Sequence, residues 1–304
     1  MFVIPDDFIQ KMMILHGANG RAWIDNLPTI LSKCEQQWKI KIGSPFANLT
    51  FHYVASAVRS DGTPVVVKVC SPTNEFKQES EALRLFDGHG MAQLLERDID
   101  NQAMLLERLQ PGVSLISMED DAKATSIAAS VMRRLWRPVP QDHPFPTVQR
   151  WGKGFIRLRQ HYRGGSGPFP PALLEEAETL FAELSASMAE PVLLHGDLHH
   201  DNILSATRQR WLAIDPKGLV GEPAYEVGAW LRNPLPQLLN MPHPERVTAR
   251  RIDQFSEELG LDRRRVRNWG MAQAVLSVWW GIEDTDQVWD DMLACAEMLA
   301  AIKA

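Results

Sequence analysis

The run Leu194-His195-Gly196-Asp197-Leu198-His199-His200-Asp201-Asn202-Ile203-Leu204, followed by Ile214-Asp215-Pro216-Lys217-Gly218, concentrates the chemistry-bearing side chains of this chain. A carboxylate, an amide five positions later and a second carboxylate beyond an apolar stretch are the groups that phosphoryl transfer needs. Asp197 is the candidate to take the proton of an attacking hydroxyl, and Asn202 and Asp215 are the candidates to hold Mg2+ beside nucleotide phosphates. Apolar runs bracket all three: Val192-Leu193-Leu194, Ile203-Leu204 and Trp211-Leu212-Ala213-Ile214. These predict short strands that carry functional groups on the loops at their ends.

Elements elsewhere in the chain must position those loops. Apolar residues at helical spacing run through residues 6–38, from Phe8 and Met12 to Ile30 and Leu31. A β-rich region follows: strands over 49–58 and at Val65-Val66-Val67-Lys68-Val69, joined by turn chemistry at Ser60-Asp61-Gly62-Thr63. Pro72-Thr73-Asn74 precedes a helix over Glu75–Phe86, closed by Gly88 and Gly90. Strands are expected over 92–96 and 102–109. Gln110-Pro111-Gly112 is the sharpest break of the first half, so the division is placed at residues 1–109 and 110–304. Beyond it the periodicity predicts helices over 119–136, 149–163 and 171–189 and from about 244. A strand-rich first third and a mainly helical remainder describe a two-lobed α+β chain.

Composition bounds the partners. The chain has 304 residues, 45% hydrophobic and 23% charged, with formal net charge -6. Those values describe a globular protein, and the acidic balance argues against nucleic acid or an anionic membrane as main partner. Cys34, Cys70 and Cys295 show no metal or disulfide spacing, which fits a reducing cytoplasm. No signal peptide or membrane span is evident, so the expectation is a cytoplasmic monomer or small homo-oligomer acting on a small molecule.

In this order, the motifs resemble the aminoglycoside and choline kinase branch of the protein kinase-like superfamily, whose catalytic loop reads H-G-D-x-x-x-x-N. Leu194 to Asn202, Ile214 to Glu222 and Asp87-Gly88-His89-Gly90 resemble the aminoglycoside 6-phosphotransferase/hydroxyurea antibiotic-resistance kinase family, which includes the streptomycin 6-kinases. The resemblance spans residues 43–300 or so. It implies a β-rich nucleotide-binding lobe, a helical catalytic and acceptor-binding lobe, ATP in the cleft between them, Mg2+, and an acceptor such as streptomycin. It also implies that Lys68 neutralises the α- and β-phosphates, paired with Glu79 or, failing that, Glu81. Glu107 to Leu109 become the hinge that receives adenine. Gly43 to Thr50 stands where protein kinases carry a glycine-rich loop and does not match it.

Other readings stay open. His195 and His199 have the spacing of a helical metal pair, but Gly196 and the strand-like flanks oppose a helix; His195 is expected under the loop, His199 and His200 at the site wall. Lys68 alternates equally well as a water-facing residue of an edge strand. Lys217 serves phosphate or simply solvent. Glu222, Tyr225, Glu226 and Trp230 border the acceptor site in the resembling family, although Glu226 also suits a helix start. Trp269, Trp279, Trp280 and Trp289 read as core or as an aromatic wall. Asp284 and Asp286, placed in an inter-helix loop, are acceptor candidates, and Arg263-Arg264-Arg265 with Arg267 reads as a solvated helix face. A metabolic kinase for hydroxyurea, a sugar or an amino alcohol, a non-catalytic nucleotide-binding regulator, and a histidine metallohydrolase are the rival functions.

Overall fold

The computed structural model describes residues 2–47, 49–71, 73 and 75–303. Asn48, in the stretch compared with a glycine-rich loop, and Pro72 and Asn74, before the Glu75 helix, lie outside the described residues. The chain divides into two compact units, Met1–Gly112 and Val113–Ala304.

The first unit opens with helix α1 (Asp6–Trp38), broken at Gly17, whose φ of 53° and ψ of -129° interrupt the helical backbone. An antiparallel sheet follows, built from β1 (Ile40–Pro45), β2 (Tyr53–Arg59), β3 (Pro64–Val69), β4 (Leu94–Asp98) and β5 (Ala103–Glu107) in the order β1-β2-β3-β5-β4. Helix α2 (Glu75–Phe86) is inserted between β3 and β4. One face of β3, Val65, Val67 and Val69, is fully buried beside Ala55, Ala57 and Leu105, and α1 adds Phe8, Leu27 and Leu31 to that core. Burying such side chains contributes about 1.5–3 kcal/mol each relative to exposure. β3 is the central strand, flanked by β2 and β5, which removes the edge-strand reading of Lys68. The strand expected over 49–58 begins only at Tyr53, and β1 had no counterpart among the expected elements. Its Ile-Lys-Ile-Gly alternation is too short to stand out beside a long helix.

The second unit is mainly helical: α3 (Asp121–Leu135), α4 (Val148–His161), α5 (Pro171–Ala186), α6 (Pro223–Leu231), α7 (Pro244–Leu259), α8 (Arg263–Thr285) and α9 (Asp290–Ala301). The chain enters it within β6 (Pro111–Ser114). Between α5 and α6 lie four short strands, β7 (Val192–Leu194), β8 (Ile203–Ala206), β9 (Trp211–Ala213) and β10 (Leu219–Gly221). β7 pairs with β10 and β8 with β9, all antiparallel. Helix α8 is buried on nearly every side, with Trp269, Val275 and Leu276 at 0% exposure, and is the centre of this core.

Asp284 falls in the last turn of α8 rather than in a loop, and Asp286 is the C-cap at φ 56°. The helix runs longer than expected because its apolar content continues through Trp279 and Ile282. Trp269 and Trp279 are core, Trp280 is half-buried and Trp289 is half exposed. The arginine cluster is solvated only in part: Arg264 is exposed, whereas Arg265 and Arg267 are engaged by the protein. Arg265 donates to Glu222 and Arg267 is buried, donating to Ile302 O and Glu176. Among the described residues no helix is long and apolar enough to cross a membrane.

Candidate phosphotransfer site

Each chemistry-bearing residue of the opening motif sits at a strand end. Asp197 follows β7, Asn202 precedes β8, Asp215 follows β9 and Lys217 precedes β10. His195 binds the loops together. Its Nδ1 accepts from the Asp197 N–H at 3.2 Å, so its Nε2 carries the proton and donates to Ile214 O at 2.8 Å. Its carbonyl accepts from the Lys217 and Gly218 amides at 2.8 and 3.2 Å. Fully buried, it is held neutral, with burial pulling its pKa down to about 4.

Gly196 has φ of 88°, a conformation L side chains rarely adopt. A Cβ there would lie 3.1 Å from Leu219 Cβ and 3.3 Å from Lys217 Cβ and Trp151 Cη2. The aromatic Trp151, on α4, therefore borders the residue before Asp197, and it packs edge-on against Trp280 of α8 at 5.2 Å.

Asn202 is oriented by donation from Nδ2 to the Asp197 carbonyl at 3.0 Å, which turns Oδ1 to the other side of the amide. Its own carbonyl accepts from Ile214 N, the residue before Asp215. Asp215 adopts φ 60°, an arrangement Asp tolerates better than most side chains, and Lys217 Nζ lies 4.0 Å from its Oδ2. One carboxylate and one amide oxygen on adjoining loops are the hard donors that Mg2+ accepts, so the residues fit that ion.

Asp197 accepts from Arg232 Nη2 at 2.9 Å through Oδ1, while Oδ2 lies 3.8 Å from His199 Nε2. His199 Nδ1 accepts from the Asp201 N–H at 3.3 Å, and its Nε2 lies 3.2 Å from Asn202 Nδ2, so the ring sits between the amide and the carboxylate. Burial works against the Asp197 charge, but the neighbouring His199, Arg232 and Lys217 outweigh it and hold the carboxyl below the ordinary range. Arg232 carried no motif signal in the sequence, since it meets Asp197 only through the tertiary fold.

Two acceptor candidates have structural work instead. Glu226 places its carboxylate beneath the loop and accepts from the His195 and Gly196 amides at 2.6 and 2.9 Å. Burial pushes its pKa up to about 7 while those two donors pull the other way. Glu222, 2% exposed, accepts from Arg265 Nε at 2.7 Å and from the Trp269 indole. Both carboxylates are buried against protein partners, which contradicts their expected place against an acceptor. His200 is likewise buried, its ring stacked on Trp230 at 3.6 Å, rather than lining a wall. The rings of His195, His199 and His200 thus serve separate neighbours, against the metallohydrolase reading. Exposed Asp284 and Asp286 sit near Glu283, which forms a bidentate pair with Arg157.

In the first unit Lys68, 4% exposed, donates to Glu79 Oε1 at 2.7 Å. Glu81 pairs instead with Arg84 and Arg97 on the surface of α2. His52, Cys70 and Glu79 bring ligand atoms within 4.8 Å of one another. Those groups also bind α2 to the sheet: His52 Nδ1 accepts from Ser71 N and its Nε2 faces Glu75. At the end of β5 Glu107 exchanges bonds with Gln93, its amide donating to Gln93 O at 2.9 Å and its carboxylate accepting from Gln93 N at 3.0 Å. Leu109 is buried just beyond.

Residues 43–285 match the profile of the aminoglycoside/hydroxyurea antibiotic resistance kinases. The chain belongs to that family. It is 31% identical to streptomycin 6-kinase from Streptomyces griseus, over 98% of this chain and 97% of the relative. Hydroxyurea phosphotransferase from Kitasatospora aureofaciens is 32% identical, over 97% of this chain and 85% of the relative. Among solved structures, choline kinase LicA from Streptococcus pneumoniae superimposes with a TM-score of 0.65 at 12% identity, covering 91% of this chain and 99% of that one. Aminoglycoside phosphotransferase APH(4)-Ia, solved with ADP and hygromycin B, gives 0.63 at 16% identity, covering 89% and 96%. The fold is that of the protein kinase-like small-molecule kinases, α+β with an antiparallel-sheet unit and a helical unit, and the chain is a phosphotransferase acting on an alcohol group.

Proposed function

We propose that this kinase transfers the γ-phosphoryl group of ATP to a hydroxyl of an aminoglycoside of the streptomycin type. The observation that carries the reading is the joined loop pair, Asp197 and Asn202 folded against the Asp215 strand end, in a chain alike over 98% of its length to a streptomycin 6-kinase. Lys68, fixed by Glu79, neutralises nucleotide phosphates, and backbone groups of Glu107 and Leu109 receive the adenine. Asn202 and Asp215 hold Mg2+, which when bound offsets charge on the phosphate oxygens.

Asp197 accepts a hydrogen bond from the acceptor hydroxyl and takes its proton as the oxygen attacks the γ-phosphorus and ADP departs. A carboxylate held this acidic is a weak base, which suits a loose transition state in which the proton leaves late and positioning does most of the work. Trp151 and Trp280 offer ring faces to a sugar, and Asp284 and Asp286 offer charge to an acceptor cation. His199 steers Asp197 from its other side. We take the enzyme to work in the cytoplasm without nucleic acid or membrane, as a monomer or small homo-oligomer.

The test is an acceptor panel of streptomycin, other aminoglycosides, hydroxyurea, choline and simple sugars, incubated with labelled ATP and read by product mass. Streptomycin gaining one phosphoryl group supports the reading. Transfer to choline or a sugar but to no aminoglycoside overturns it.

A further inference from the structure

Arg232 is the C-cap of α6, and its guanidinium is the nearest cation to the carboxylate of Asp197, with Nη2 at 2.9 Å from Oδ1. Its side chain is 15% exposed, and among the described residues its buried Nε has no protein partner. The backbone beneath it is anchored from several directions. The Arg232 amide donates to Gly228 O. On one side Trp230 stacks on His200 of the catalytic loop. On the other, the fully buried Arg251 donates to Asn233 O at 2.7 Å while paired with Asp121 at 2.5 Å. Such a cation is held in place by packing and does not sample solvent freely.

Its position has a consequence for a cationic acceptor. A bare carboxylate and a guanidinium form a bidentate pair that uses both oxygens. An acceptor guanidinium caught that way at Asp197 would occupy one acceptor site on each oxygen and hold the acceptor's own hydroxyl out of line for transfer, which a small free guanidinium in the place of the Arg232 side chain does not. With Oδ1 engaged by Arg232, Oδ2, on the His199 side, is the more open oxygen to offer.

We propose that Arg232 is the positioning residue of this site: it fixes Asp197 through Oδ1, presents Oδ2 to the acceptor hydroxyl, and excludes acceptor cations from the base. The inference rests on the reading of Asp197 as that base. It predicts that loss of the guanidinium lowers turnover without weakening nucleotide binding, because Arg232 acts on the geometry of the base.

The experiment compares wild type, Arg232→Ala and Arg232→Lys for kcat and KM with streptomycin and for ATP affinity, with and without tens of millimolar guanidinium chloride, thermal unfolding monitored throughout. Arg232→Ala should lose on the order of 10²-fold in kcat, the scale of a misplaced catalytic group, with ATP affinity kept. Added guanidinium should restore part of that loss and leave wild type and Asp197→Asn unimproved. Arg232→Lys, which keeps the charge but not the fork, should fall between the two. A wild-type kcat in Arg232→Ala overturns the proposal. So does a loss shared by a well-folded Arg232→Lys that guanidinium fails to repair, since that is a purely structural role; should the alanine variant not fold, the lysine variant decides alone. Wild type that phosphorylates no panel compound sinks the functional reading instead, and Arg232 is then judged by guanidinium rescue of intrinsic ATP hydrolysis; no nucleotide turnover at all removes both.

Discussion

Replacing Lys68 with methionine takes from the Glu79 carboxylate, only 5% exposed, the ammonium 2.7 Å away. Removing one partner of a buried ion pair costs about 3–5 kcal/mol, because the remaining charge is desolvated without compensation. Replacing both, as Lys68→Met with Glu79→Leu, removes the charge as well, and the cost falls to about zero or turns slightly favourable. The pair should therefore show a coupling of at least about 3 kcal/mol in a double-mutant cycle measured by urea denaturation of the first unit. Phosphoryl transfer should be lost in the single and the double variant alike, since neither offers a cation to the phosphates. A double variant as unstable as Lys68→Met, or one that transfers phosphoryl at the wild-type rate, would refute the reasoning.

Acid should weaken the second unit through its buried histidines. His195 and His200, with pKa values drawn down to about 4 and about 2, stay neutral when folded, whereas an unfolded histidine titrates near 6.5. Each contributes stability that is present above pH 6.5 and drains at about 1.4 kcal/mol per pH unit below it. Glu226, raised to about 7, works oppositely from pH 7 down to its unfolded value, leaving a net loss of about 1.4 kcal/mol per unit near pH 5. Among the described residues neither ring nitrogen of His200 has a partner, so His200→Phe should fold well and flatten that slope; an unchanged slope in denaturation midpoints would count against it. Gly196→Ala should destabilise by about 1–3 kcal/mol, because a side chain at φ 88° is strained and meets Leu219, Lys217 and Trp151; thermal melts and turnover together check this, and a neutral substitution contradicts it.

How much of this was legible depends on how far along the chain the partners lie. Asp197, Asn202 and Asp215 stand within one motif, where strand-turn-strand spacing alone brings their loops together. Lys68 and Glu79 were within reach because a Val-rich strand and an amphipathic helix follow each other directly. The contacts of Glu226 and Arg232 with the catalytic loop were not legible. They arise from α6 packing about 30 residues later, and an acid at a helix start or an arginine at a helix end looks the same whether it faces water or a backbone amide. The aromatic tail was half legible for a related reason. Helical spacing marks a tryptophan stripe as apolar, but only the packing of α8 buries Trp269 and leaves Trp289 half exposed. Short β1 was missed because four alternating residues beside a long helix carry little pattern.

The most direct measurement is a single-turnover comparison of wild type and Asp197→Asn, following phosphoryl transfer from labelled ATP to streptomycin while nucleotide affinity is measured separately. With Asp197 as the group that orients and deprotonates the hydroxyl, transfer should slow by about 10²–10⁴-fold while nucleotide affinity stays unchanged. Transfer at the wild-type rate in the asparagine variant would contradict the account.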